Sequence, residues 1–163
     1  MKDRIDAILA QWKRERPDLD TAPMGLIGRI QRAAAALRPR LDATHEESGL
    51  QGDSFDVLAS LRRCGPPYEL TPTELYREMM LSSGAMTNRI DKLEAMGLVA
   101  RKPDPDDRRG TRVRLTARGR ALIDAATTKH VANEDDLVSG LTERERHQLS
   151  ELLRKLLIGL GDV

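Results

Sequence analysis

The sequence predicts an all-α chain with one small β-wing, and three observations carry that prediction. Aromatic residues make up only 2% of the 163 positions, and the chain is rich in Leu, Ala, Arg and Glu, a composition that favours helices. Apolar residues recur at helical spacing along most of its length. Between Leu98 and Leu115 that period gives way to two short strand-like runs around a turn-rich tip, PDPDDRRG.

Each element follows from local pattern. Ile5, Ile8, Leu9 and Trp12 place an amphipathic helix over residues 4–16, which Pro17 and the turn to Pro23 end. A second helix runs from about Met24 to His45 with Leu26, Ile27, Ile30, Ala34, Leu37 and Leu41 on its stripe, and Pro39 inside it should kink it. Asp53 can cap a third helix through Phe55, Leu58 and Leu61, ending near Gly65-Pro66-Pro67. Thr71-Pro72-Thr73-Glu74 is a capping box with Pro at the first helical position. Ser82 or Ser83 caps the next helix and Gly97 closes it. Two short helices, 72–79 and 83–95, joined by a tight turn are a helix-turn-helix signature.

Leu98–Lys102 and Thr111–Leu115 are the strand candidates, with Gly110 allowing the closure between them. Thr116 caps a long helix to about Gly140, and Thr142–Glu145 is a second capping box. The last helix carries Leu149, Leu152, Leu153, Leu156, Leu157 and Leu160, a wider apolar stripe than one short helix needs to cover its own subunit. The length suits one compact domain, or one domain with dimerisation extensions.

Net charge is only +1, so distribution matters more than total. Arg101, Lys102, Arg108, Arg109, Arg112, Arg114, Arg118 and Arg120 crowd one segment, whereas Glu134, Asp135, Asp136, Glu143, Glu145 and Glu151 fall in the last third. A locally basic surface on a near-neutral chain suits specific DNA binding with little non-specific adhesion. The single cysteine, Cys64, forms no internal disulfide, and His45, His130 and His147 lack ligand spacing, so neither a metal site nor a cofactor is expected. The charged start is neither a signal peptide nor a membrane span, and a cytoplasmic protein is the expectation. No phosphate loop or nucleophile–base pair argues for an enzyme.

On the helix after the turn, Met86, Ile90 and Leu93 should face the core. That leaves Ser83, Gly84, Thr87, Asn88, Asp91 and Lys92 outside. Small residues at the helix start let backbone approach a phosphate, Thr and Asn can bond base edges, and the basic hairpin can reach phosphates or the minor groove. The candidate DNA contacts are therefore Ser82, Ser83, Gly84, Thr87, Asn88, Lys92 and the tip residues Asp107, Arg108 and Arg109. Arg89 is out of place. It lies three after Met86, four before Leu93 and next to Ile90, on the inward face, where a charge needs a partner.

The helix-turn-helix followed by DPDDRRGTRVRLTARGRAL closely resembles the winged-helix core of MarR-type transcriptional regulators, over roughly Met24 to Leu157. The resemblance implies a winged helix-turn-helix core with a helical dimerisation region made by N- and C-terminal helices. It also implies a homodimer that reads a palindromic operator in double-stranded DNA. In that frame residues 1–20 are an extra N-terminal helix and 21–163 the family domain, with the DNA-binding lobe at about 53–116 and dimerisation helices at about 23–46 and 117–160. Asp107 would orient Arg109 for the minor groove.

The extra helix with Trp12, the Phe55-Asp56-Val57-Leu58 segment and SSGAMTNRID are similar to the urate-responsive subfamily. That similarity implies a ligand set of Trp12, Asp56, Arg89 and Arg101. It also implies repression relieved by a small aromatic anion such as urate, xanthine or a phenolic acid. Asp56 would pair with Arg89 or repel the bound anion; alternatively it is a helix-start acid. From the residues alone, Trp12 reads first as a packing residue whose indole N–H can also bond a ligand oxygen, and Arg101 reads as a phosphate contact. The alternative trigger is a different ligand, or oxidation at Cys64, which follows two arginines.

Overall fold

The computed structural model describes residues 2–51, 53–79, 83–105, 107 and 110–162, with backbone only for 83–85. They divide into two compact units, 1–43 and 44–163.

In the first unit, helix α1 (Arg4–Glu15) starts at a capping box in which Asp3 and Asp6 exchange side-chain-to-backbone hydrogen bonds of 3.0 and 2.8 Å. Its inner face lies on the start of α2 (Ala22–Glu47), with Leu9 against Gly25 and Ile5 against Gly28. Arg29 of α2 clamps both Asp3 and Asp6 (2.8 and 2.7 Å). Ile8 and Trp12 remain exposed. Pro39 does not end α2; the Arg40 guanidinium donates to the Ala36 carbonyl (2.7 Å) one turn back.

The second unit holds the core. Helices α3 (Ser54–Arg63), α4 (Pro72–Met79), α5 (Ser83–Ala95) and α6 (Ala117–Leu137) surround it with a three-stranded antiparallel sheet: β1 (Glu69–Leu70), β2 (Val99–Pro103) and β3 (Thr111–Leu115), in the order β1-β3-β2. Leu58, Leu61, Leu75, Met86, Ile90, Leu93, Leu98, Val113 and Ile123 are fully buried, each contributing about 1.5–3 kcal/mol of transfer free energy. The register sets Val99 opposite Leu115 and Arg101 opposite Val113. β1 is a strand that no pattern announced: Leu70 pairs with Val113 on the free edge of β3, and two residues carry no legible alternation.

Three of the expected caps form, at Thr71, Thr116 and Thr142. Thr71 and Glu74 close their box (2.7 and 3.2 Å), Thr116 accepts from Gly119 N–H (2.9 Å), and Thr142 and Glu145 close theirs. No residue of the last helix, α7 (Glu143–Gly159), is buried, and Leu152 and Ile158, with Leu160 just beyond the helix end, stand 66%, 55% and 73% exposed. Among the described residues no helix is long and apolar enough to cross a membrane, and no three metal-ligating side chains converge. The histidines are not all scattered, however. His45 Nε2 lies 3.1 Å from His130 Nδ1; the His45 ring stacks on Phe55, and the His130 ring packs against Phe55 at a tilt.

Candidate functional site

The candidate DNA-reading element is built from the α4–α5 pair outward. Met86, Ile90 and Leu93 anchor α5 in the core, as their spacing requires, leaving Thr87, Asn88, Asp91 and Lys92 exposed along one face. Ser83 and Gly84 lie in the first turn of α5; Ser82, Asp106, Arg108 and Arg109 lie outside the described residues.

Gly97, at φ 68°, ends α5 in a Schellman motif: Leu98 N–H reaches the Leu93 carbonyl (2.9 Å) and Gly97 N–H the Glu94 carbonyl (2.8 Å). That turn is sealed by the first turn of α6. Thr116 Oγ1 donates to the Gly97 carbonyl (2.8 Å), Thr116 N–H donates to the Leu98 carbonyl (3.1 Å), and Gly119 lies so close that a Cβ there would sit 1.9 Å from the Leu98 oxygen. The Leu115-Thr116-x-x-Gly119 pattern thus has a local reason. At the wing base Asp104 N–H donates to the Gly110 carbonyl (3.0 Å) and Gly110 N–H to that of Asp107 (2.8 Å).

Much of the basic segment is paired within the lobe. Arg112 meets Asp104 (3.2 Å), and Arg114 approaches Glu69 (3.9 Å). Arg101 binds Asp91 and Glu94 of α5, and its backbone N–H donates to Glu94 (2.9 Å). Those bonds, the backbone one foremost, hold the Glu94 carboxylate below its usual range, and Asp91 foremost holds Arg101 above its own.

Beside α5 lies a cleft of about 630 Å³. Its lining comes from the end of α2 (Glu46 and the following Gly49), the start of α3 (Ser54, preceded by Gln51 and Asp53) and one face of α5 (Arg89 and Lys92, with Met96 just past the helix). Arg89 projects into this region with its side chain 19% exposed. One end of its guanidinium, Nη2, binds the Asp53 carboxylate; the other, Nη1, is buried without a hydrogen-bond partner. Burial pulls its pKa down from the ordinary value, so the site is unfavourable to an isolated positive charge.

The acid that Arg89 meets is Asp53, not Asp56. Asp56 projects outward from the first turn of α3 and is exposed, whereas Asp53 sits at the helix end nearest α5. Asp53 also does not cap α3 with its side chain. A cap is worth about 1 kcal/mol, less than a charge-assisted bond to a half-buried guanidinium. Of the four residues that the subfamily resemblance grouped, Arg89 alone lines the cleft; Asp56 and Arg101 do not, and Trp12 belongs to the first unit. Nothing in the spacing singled out Glu46, Gln51, Ser54 or Met96. They converge only because the chain turns at Gly49 and Asp53.

Comparison with known proteins agrees with this architecture. The MarR family model matches residues 48–110. The chain is 38% identical to the HTH-type transcriptional regulator PecS of Dickeya dadantii over 93% of its own length and 92% of that protein's. It is also similar to a cysteine-to-serine variant of E. coli MarR complexed with operator DNA, with a TM-score of 0.72 and 27% identity, covering 90% of this chain and 97% of that one. BpsR of Bordetella bronchiseptica, whose DNA binding is regulated by 6-hydroxynicotinic acid, aligns with a TM-score of 0.70 and 28% identity over 79% and 90% of the two chains. The chain belongs to the MarR family and is a winged-helix DNA-binding transcriptional regulator rather than an enzyme.

Proposed function

We propose that the protein is a homodimeric repressor released from a palindromic operator when a small aromatic anion, urate or a close chemical relative, enters the cleft behind α5. The observation that carries this reading is Arg89. It is a cation on the DNA-reading helix itself, lining a cleft, with Asp53 on one end of the guanidinium and no partner on the other. An anion supplies the missing acceptor and competes with Asp53 for the charge. Either change moves α5 relative to the start of α3. Lys92, on the same helix face, adds a second positive group at the rim.

A tenfold loss of operator affinity needs about 1.4 kcal/mol of coupling, within reach of one redistributed charge-assisted bond. The exposed apolar side chains of α7 support the homodimer, since two recognition helices about one DNA turn apart need two copies. BpsR supplies a precedent for an aromatic monoanion, and PecS is a regulator of matching length. Trp12 and Asp56 enter the ligand reading through resemblance alone. Oxidation at Cys64 is less favoured: the residue is exposed, but partial desolvation pushes its thiol up, away from thiolate.

The test is an electrophoretic shift with the gene's own upstream DNA, with and without urate, xanthine or salicylate. Fluorescence of Trp12, the sole tryptophan, is followed in parallel for wild type and Arg89→Ala. Expected are a salt-sensitive specific shift, its release by one of the anions, and loss of that release in the variant. If the variant is released at the same concentration as wild type, the site assignment fails; if no specific shift exists, the regulator reading fails.

A further inference from the structure

Arg101 stands in a basic hairpin beside a DNA-reading helix, a place where a free arginine would meet phosphate. Its contacts say otherwise. β2 leaves the α5 turn with Val99 in the core, and two residues on Arg101 returns to the same face of the strand, toward α5. There its guanidinium spans Asp91 and Glu94, one turn apart on α5, and its backbone N–H donates to the Glu94 carboxylate (2.9 Å). Glu94 therefore grips strand backbone and strand side chain at once. The planar fork of arginine suits such a two-acid bridge; a lysine offers one point charge.

The acids carry an electrostatic penalty. Two carboxylates on the helix that faces DNA weaken its attraction for phosphate. What they supply in return is geometry: the wing is held to the recognition helix at a second point, beyond the Leu98 turn.

We infer that Arg101 is a positioning residue for operator binding, which with Asp91 and Glu94 fixes the wing against the recognition helix so that both reach the duplex in register. This rests on the DNA-binding function alone and is independent of any ligand. It keeps Arg101 out of the phosphate contacts.

The experiment measures operator and non-specific DNA affinity of the full-length protein over a range of salt. The variants are Glu94→Gln, Asp91→Asn, Arg101→Lys and Arg101→Gln, each checked for wild-type melting. Simple electrostatics predicts that removing either carboxylate tightens DNA binding. The positioning role predicts the opposite for the operator, a loss of about three- to tenfold, with non-specific affinity unchanged or raised. Arg101→Gln should lose operator affinity with an unchanged slope of log K against log salt, and Arg101→Lys should recover part of the loss.

Glu94→Gln and Asp91→Asn binding the operator as well as or better than wild type overturns the inference. So does a salt slope that falls by about one unit in Arg101→Gln, the mark of a lost phosphate contact. Operator affinity left intact in Arg101→Gln overturns it too. A wild-type protein that shows no specific shift sinks the regulator reading instead, so the two failures are distinguishable.

Discussion

Neutralising Asp53 should destabilise the protein, whereas removing the charge of Arg89 should not, although both changes break the same ion pair. Leaving a fully buried charge without its partner costs about 3–5 kcal/mol. The two side chains here are 19% and 30% exposed, so water recovers part of that, and about 1.5–2.5 kcal/mol is expected for Asp53→Asn. Arg89→Met deletes the cation together with its unpartnered Nη1, whose desolvation costs about 1–3 kcal/mol. It also frees Asp53 to cap α3, a gain of about 1 kcal/mol. The net should lie within about 1 kcal/mol of zero. For a chain of this length Asp53→Asn should then lower Tm by roughly 3–10 °C, and Arg89→Met by almost nothing. Urea titration at fixed protein concentration gives the difference in midpoint, with equal m-values as the control. Equal destabilisation by the two variants would refute the reasoning, because the pair would then be a net stabiliser and not a balanced charge awaiting an anion.

Three further outcomes follow from the geometry. Gly119→Ala drives a methyl group into the Leu98 carbonyl, which lies 1.9 Å from the Cβ position, and should cost about 3 kcal/mol or more; a melting temperature equal to wild type would contradict the packing described. The Thr71 backbone N–H, and then its hydroxyl, hold the Glu74 carboxylate below its ordinary value. That contribution is complete above the unfolded value and is lost as pH falls through the lower folded one. Glu74→Gln should therefore flatten the acid limb of the stability–pH curve, and an unchanged limb would assign acid unfolding elsewhere. Leu152→Glu on the exposed apolar face of α7 should shift the mass measured by light scattering from dimer to monomer and weaken operator binding at least about tenfold; an unaltered mass would place the dimer contact on another surface.

How legible this was in the sequence depended on how local the cause is. Capping boxes, the Gly97 stop and the inward Met86, Ile90 and Leu93 are properties of a few neighbouring residues, and each stands where its spacing put it. Arg89 could be marked as a misplaced charge because helical periodicity alone puts it on the wrong face. Its partner could not be named from pattern. Asp53 and Asp56 lie on one helix start, and only the packing of α5 on that end decides between them. The same holds for Arg101, whose acids sit seven and ten positions earlier, and for His45 and His130, which are 85 residues apart yet share one hydrogen bond. β1 escaped because it borrows its order from β3.

The Leu98–Gly119 contact limits how a signal can travel. Backbone there touches backbone with no side chain between, so no rotamer can absorb a displacement. The end of the recognition helix, the root of the wing and the first turn of α6 are consequently one solid joint. A tilt of α6 swings helix and wing together, like the head of a wrench turned by its handle. An effector that reaches the DNA-binding lobe through α6 can change where the head points, and so which spacing of half-sites it fits, without altering the grip the head presents to each half-site.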